Sequence, residues 1–443
     1  MSDKSESRDD AAKQVADDCP LEGKQQERNM LCFAGLWCCI YLSAPVGYVG
    51  VTHANLLNQL GEPDKIANMP HAVYQWMSAF PILVAWFLPH PKWLKPLIVG
   101  SLTAKAIVTA LVALSIWMPW SNSIVSATVI THGAVFGAAN GVLITTLWEV
   151  VSRGVSTQRR GRTLSLTFGI GPLLACVGSL LQQMLFDKEP FTGASFGLEF
   201  PTSYLALFAG AVPVMLLSVF VGSLFVVPVP ECEQVTASRM TEILSGLRQF
   251  FTYPPLVLAA VAYLLVYSGG NAIIDTVSLH SKEVLGERAN DTVGIQNFLR
   301  FGFKAVAGAL LGLLLAKTNP KATLLTTTGI LLFAMGWVLN SSGWWYLISA
   351  GLLGAGELFG AYFPNYVTTA SAKSQVRANM AYLSLLGSLV GFASFFFGKI
   401  SDNFGRIKTF YTATGILVLA MILIITALPA RPIPREATTP SDV

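Results

Sequence analysis

The chain has 443 residues, of which 53% are hydrophobic and only 12% charged, and its mean hydropathy is +0.56. A water-soluble protein carries about a quarter charged residues, so this composition excludes a soluble globular chain and leaves one covered mainly by lipid. The formal net charge of +4 is not gathered into a basic domain and gives nucleic acid no footing.

Residues 1–28 mix acids and bases without an apolar run, which predicts a cytosolic disordered tail rather than a signal peptide. A membrane span needs about 20 mostly apolar residues. Such runs fall at 30–55, 68–89, 95–118, 122–152, 160–186 and 203–228, then at 253–279, 292–316, 321–340, 343–370, 375–398 and 406–429. A polar connector, 229–252, follows Pro228 and divides them six and six, and the proline-bearing end, 431–443, reads as a second cytosolic tail. The predicted fold is therefore an all-α membrane protein, with twelve transmembrane helices in two six-helix bundles, 29–228 and 253–430. With the N-terminus inside, the cytosolic segments collect nineteen of the 29 Lys and Arg residues and the outer loops seven. That bias places both termini in the cytosol, in a plasma or bacterial inner membrane.

The two bundles read as a repeat. Leu60-Gly61-Glu62 answers Leu285-Gly286-Glu287, a register that sets Pro45 against Gly270, so both first helices are interrupted at one depth. Pro91-Lys92 answers Pro320-Lys321, which sets His71 against Arg300 and Gln75 against Lys304. Arg160 answers Arg377, and Gly137-Ala138-Ala139-Asn140 then faces Gly354-Ala355-Gly356-Glu357. Repeats of one orientation are related by an axis along the membrane normal and place a solute between the halves near the midplane.

Ionisable residues in mid-span are costly and are candidates for function. Glu357 lies near the middle of the tenth span beside Gly354 and Gly356, and is the expected proton-coupling group. Arg300 and Lys304, four residues apart, share one face of the eighth span and are expected to bind an electron-rich solute. His71, Gln75 and Asn140 are candidates by register, and Tyr41, Tyr267 and Tyr362 by position as cavity-wall residues. Asp275 is placed in the outer third of the seventh span, as a second coupling acid and gate partner of Arg300 or else as a residue of the headgroup region. Lys105 and Glu149 are read as cytosolic-side structural charges. The six cysteines, Cys19, Cys32, Cys38, Cys39, Cys176 and Cys232, avoid the outer loops, so no disulfide is expected there. The five histidines are scattered, so no metal site is expected, nor any cofactor.

Over residues 30–430 the chain resembles the major facilitator superfamily. The resemblance rests on Glu149 with Arg159-Arg160-Gly161-Arg162 after the fourth helix, and on Gly398-Lys399-Ile400-Ser401-Asp402-Asn403-Phe404-Gly405-Arg406, similar to the family's G-x-x-x-D-x-x-G-R string. In the family that string lies after helices two and eight. Here those loops lack the aspartate, and the string falls on the outer side after helix eleven. Arg300 resembles one of the paired arginines of nitrate/nitrite porters, but His71 stands in the other's place and their glycine- and asparagine-rich signature is absent.

The resemblance implies a secondary transporter working by alternating access, expected as a monomer. Arg300 and Lys304 point to a small polar or anionic solute and Glu357 to protons as coupling ion, and with no H-E-x-x-H or Walker-type glycine loop in the chain no enzyme is expected. The alternatives are an exporter of hydrophobic or cationic compounds and a non-transporting membrane receptor.

Overall fold

The computed structural model describes residues 21–88, 90–155, 157–186, 195–227, 247–248, 250–286, 292–371 and 376–433. Among the described residues the helices can be grouped into twelve consecutive segments. The first is broken into Gly23–Leu42, Ala44–Gly47 and Val51–Gln59, and the second into Asp64–Ala67, Met69–Met77 and Pro81–Phe87. Leu94–Trp117, Asn122–Gly154, Thr157–Phe186 and Thr202–Ser223 complete the first half. The seventh segment runs Pro254–Val266, a π-helical turn Tyr267–Asn271, then Ile274–Leu285. Val293–Lys317 and Pro320–Asn340 follow. The tenth pairs Ile348–Gly356 with Phe359–Ala370, the eleventh Val376–Gly387 with Val390–Phe404, and Arg406–Ala427 is the twelfth.

Among the described residues nine helices are long and apolar enough to cross a membrane. Gly23–Leu42 of the first segment is long enough but starts on the polar run from Lys24 to Asn29, the second segment is cut into short pieces, and the fifth is apolar only over Ile170–Phe186. Large apolar side chains stand outward along these helices, as at Leu310, Leu313, Phe220 and Leu419, a surface suited to hydrocarbon rather than water.

The first helix starts at Gly23, inside the stretch expected to be tail. Asn29 explains this: its amide donates to the Val226 carbonyl at 2.8 Å and accepts from the Val226 N–H at 2.9 Å, docking the helix start on the end of the sixth segment.

The repeat is visible in local chemistry. Gly61 and Gly286 end the first and seventh segments with φ of +93° and +65° in open space, so it is backbone conformation, not packing, that favours glycine there. His90 accepts from the Lys92 N–H at 3.1 Å and Asn319 from the Ala322 N–H at 3.0 Å, so the third and ninth segments start under matching caps. The expected interruptions are present too: Ser43–Gly50 in one half, the π turn in the other.

Each half uses glycine to bring its second and fourth helices together. A Cβ on Gly137 would stand 2.1 Å from the Tyr74 carbonyl oxygen, and one on Gly354 would stand 2.1 Å from that of Arg300. Backbones this close leave no room for a side chain. Gly137→Val and Gly354→Val are therefore expected to cost about 1–3 kcal/mol or more, read as a lower melting temperature in detergent. Gly100→Ala, in open space, should leave that temperature unchanged or slightly raised.

Candidate functional site

Glu357 sits at the break in the tenth segment, where its N–H still bonds to Leu353 before a new helix begins at Phe359. The approach at Gly354 lays the eighth segment across it. The Arg300 Nε donates to Oε1 at 2.6 Å with a second guanidinium nitrogen on the same oxygen, and the Lys304 Nζ donates to Oε2 at 3.0 Å. All three side chains are largely buried. One carboxylate against two cations leaves the group with one net positive charge.

The first segment supplies the wall. The Tyr48 ring lies 5.8 Å from the Arg300 guanidinium carbon and 5.4 Å from the Lys304 nitrogen, within cation–π range. Tyr48 stacks on Tyr41 at 6.3 Å and meets the edge of Phe301 at 5.0 Å. A ring from one half thus covers the cations of the other.

A second polar group bridges the halves. The His71 Nδ1 donates to Asp275 Oδ2 at 2.7 Å. Gln75 and Asn271 both direct amide nitrogens at His71 Nε2, at 3.1 and 3.4 Å, and Gln75 also donates to the Tyr267 hydroxyl at 3.0 Å. With its Nε2 accepting, His71 is neutral as oriented, and the pair carries the negative charge of Asp275. The other carboxylate oxygen, Oδ1, is buried without a hydrogen-bond partner. It lies where a Cβ on Gly50 would come within 2.6 Å, so the glycine makes room for the acid. Asp275 is fully buried against the other half, not in a headgroup layer, and its partner is His71 rather than Arg300.

Further bonds between the halves lie toward the end remote from Gly23 and Arg431. Asn55 donates to Ser278 at 3.0 Å, Asn297 to Gln182 at 2.8 Å, and the Ile295 N–H to Gln183 at 2.9 Å. The Asp402 string closes this end. Arg406 holds both oxygens of Asp64 at 2.9 Å and one of Glu283 at 2.7 Å. Ser401 donates to Asp64 at 2.7 Å, and Asp402 accepts from the Lys65 N–H at 3.0 Å. Gly398 lies against the Lys65 backbone. At the opposite end, among the described residues, Asn29 bonds Val226, Lys321 bonds Ile425 and Arg431 bonds Thr318, each within one half.

Of the residues predicted from sequence, Arg300, Lys304, Glu357 and Tyr41 meet around Tyr48, while His71, Gln75, Tyr267 and Asp275 form the bridge. Asn140 bonds Tyr74 and Lys105 in the first half. Tyr362 belongs to the apolar core. Glu149 pairs with Arg153 one turn away, but Lys105 is buried halfway along Leu94–Trp117 rather than near an end. The side chains of Arg160, Arg162 and Arg377 lie outside the described residues, as do Cys19, Cys232, Glu287 and most of the connector. Sequence reasoning missed Tyr48 and Tyr74, each one aromatic among many, and the Asp64–Arg406 pair, whose members are 342 residues apart.

No protein-family model matches the chain, and no curated protein matches it in sequence. Solved structures match in fold. The nucleoside transporter NupG superposes with a TM-score of 0.64 at 11% identity, covering 91% of this chain and 100% of its own. A D-xylose–proton symporter gives 0.64 at 13%, covering 91% and 97%. The E. coli fucose–proton symporter FucP gives 0.60 at 14%, covering 90% and 96%; FucP is a major facilitator superfamily transporter. This chain has the same fold, and with its apolar helices it is an integral, multi-pass membrane protein.

Removing one member of the Asp64–Arg406 pair, whose side chains are 9% and 15% exposed, leaves the other charge without its partner. Each 1.4 kcal/mol lost from closure raises the open fraction about tenfold. Arg406→Gln and Asp64→Asn should therefore speed thiol labelling of a cysteine placed at Asn55 by about tenfold or more. Unchanged labelling in both would show that this pair does not hold the end shut.

Proposed function

We propose that the protein is a secondary transporter that moves a small polar or anionic solute by alternating access, with both termini cytosolic, twelve crossings in two six-helix bundles, and protons as coupling ion. The observation that carries this reading is the placing of two buried charged groups, Arg300–Glu357–Lys304 and His71–Asp275, beside joints between halves that are bonded to each other toward one end. The fold neighbours, described as nucleoside and sugar–proton transporters, support transport of polar solutes.

The chemistry follows from charge balance. A solute oxygen that takes Lys304 or Arg300 displaces part of Glu357's salt bridge. Such an exchange is favourable in low dielectric only if the freed acid finds another partner or a proton. His71–Asp275 holds one negative charge and accepts one proton without losing an existing cation. It also spans the halves, so its protonation and its separation are linked. Glu357 couples the solute to the site's charge, and Asp275 couples the proton to closure. Export of hydrophobic cations fits less well, because both Glu357 oxygens already hold protein cations.

The test is uptake into proteoliposomes under an inward proton gradient, across nucleosides, pentoses, deoxyhexoses and carboxylates. Concentrative uptake of at least one solute is expected. Glu357→Gln and Asp275→Asn should each abolish proton-driven accumulation, by about tenfold or more, while counterflow exchange survives in one of them. Binding without flux in every case would favour a receptor. Orientation is checked separately: Ser195→Cys, in a background without the native cysteines, should label from outside the cell and not from the cytosol.

A further inference from the structure

Lys105 is the buried charge that this mechanism leaves unused. It lies near the centre of the third segment, and its residue is 5% exposed. Its ammonium stands 4.7 Å over the Phe136 ring and 3.4 Å from Asn140 Oδ1, and among the described residues no carboxylate pairs with it. The Asn140 amide donates to the Tyr74 hydroxyl oxygen at 2.8 Å, which leaves the phenol's own proton free to donate. What the group offers is therefore donors: the remaining ammonium N–H bonds and one O–H.

Among the described residues none behind it supplies a counter-charge. His132 stacks on Phe136 at 4.2 Å and bonds His53 at 3.1 Å and Thr109 at 3.2 Å. The bonds read in one direction. The Gly50 N–H faces His53 Nδ1, His53 Nε2–H donates to His132 Nδ1, and His132 Nε2–H donates to Thr109, whose hydroxyl donates to the Lys105 carbonyl. Both imidazoles are thus neutral, and neither is an anion.

The repeat shows what is absent. Asn140 occupies the register of Glu357, so where the second half sets a carboxylate between two cations, the first half sets an amide beside one. We propose that Lys105, Asn140 and Tyr74 form a second anion subsite, and that the solute is a dicarboxylate, one end on the Arg300–Lys304 side and the other on Lys105. The first end rests on the transport reading above; the Lys105 subsite rests on its own geometry. Charge balance agrees: with one proton on His71–Asp275, the triad and Lys105 sum to two positive charges, which a dianion cancels.

The test is thermal stabilisation of the purified full-length protein by succinate, glutarate and adipate, with butyrate and 1,4-butanediol as monoanionic and neutral counterparts. At least one dicarboxylate should raise the melting temperature at concentrations where the counterparts do nothing. Lys105→Met should weaken that effect about tenfold or more. Asn140→Asp supplies the counter-charge internally, so it should raise the ligand-free melting temperature and also abolish the dicarboxylate shift, even if Lys105→Met folds poorly. The inference is overturned if no dicarboxylate outperforms butyrate, if Lys105→Met responds as wild type, or if Asn140→Asp is not stabilised. Dicarboxylate binding without flux would keep the subsite and reject transport. Flux of a neutral solute indifferent to Lys105→Met would do the reverse.

Discussion

An ionised side chain inside a bilayer costs several kcal/mol unless another charge or a close set of donors meets it. That constraint organises the interior of this protein. Glu357 is tolerable because Arg300 and Lys304 converge on it, and they converge because Gly354 lets the eighth and tenth segments touch backbone to backbone. Asp275 is tolerable because Gly50 makes room for it and His71 reaches it from the other half. In both cases a residue without a side chain is what allows a charge to be buried.

The same constraint ties the two halves to one another. His71 cannot leave Asp275 without stripping a buried carboxylate of its donor, so the bridge resists opening until a proton or water takes that place. Arg406 and Asp64 do the equivalent nearer the surface, where water is a cheaper substitute. The contacts between the halves thus have a graded composition: the Asp64–Arg406 pair with the half-exposed Glu283 at the rim, amide and hydroxyl bonds beneath, and a fully buried acid innermost.

Much of the fold was legible in the sequence, because hydrocarbon imposes a length on apolar runs and the repeat imposes an order on them. The interruptions at Pro45 and Gly270 were readable for local reasons: backbone chemistry needs few neighbours to interpret. Pairing was not. Arg300 and Lys304 were correctly grouped because they share one helix, and Glu357 was singled out by depth. That the three form one salt bridge depends on how close Gly354 brings two helices, which no spacing encodes. Asp275 went to the wrong partner for the same reason. Arg300 is nearer in sequence, but the seventh segment turns that face toward the other half. The start at Gly23 was hidden because a polar helix end looks like tail until Asn29 finds Val226.

The Asp402 string shows how a motif can keep its chemistry and change its place. Gly398 permits contact with a helix start, Asp402 accepts an N–H at that start, and Arg406 grips an acid beside it. None of these interactions depends on which side of the membrane they occupy, since each needs only a helix N-terminus and a carboxylate within reach. Position therefore decides what the motif does: here it fastens the end where the inter-half bonds gather. The second-to-third and eighth-to-ninth loops, which lack the aspartate, instead begin their helices under His90 and Asn319 caps that bond only to their own backbone. Among the described residues the inter-half bonds gather at the Asp402 end, while these two caps stay within their own segments.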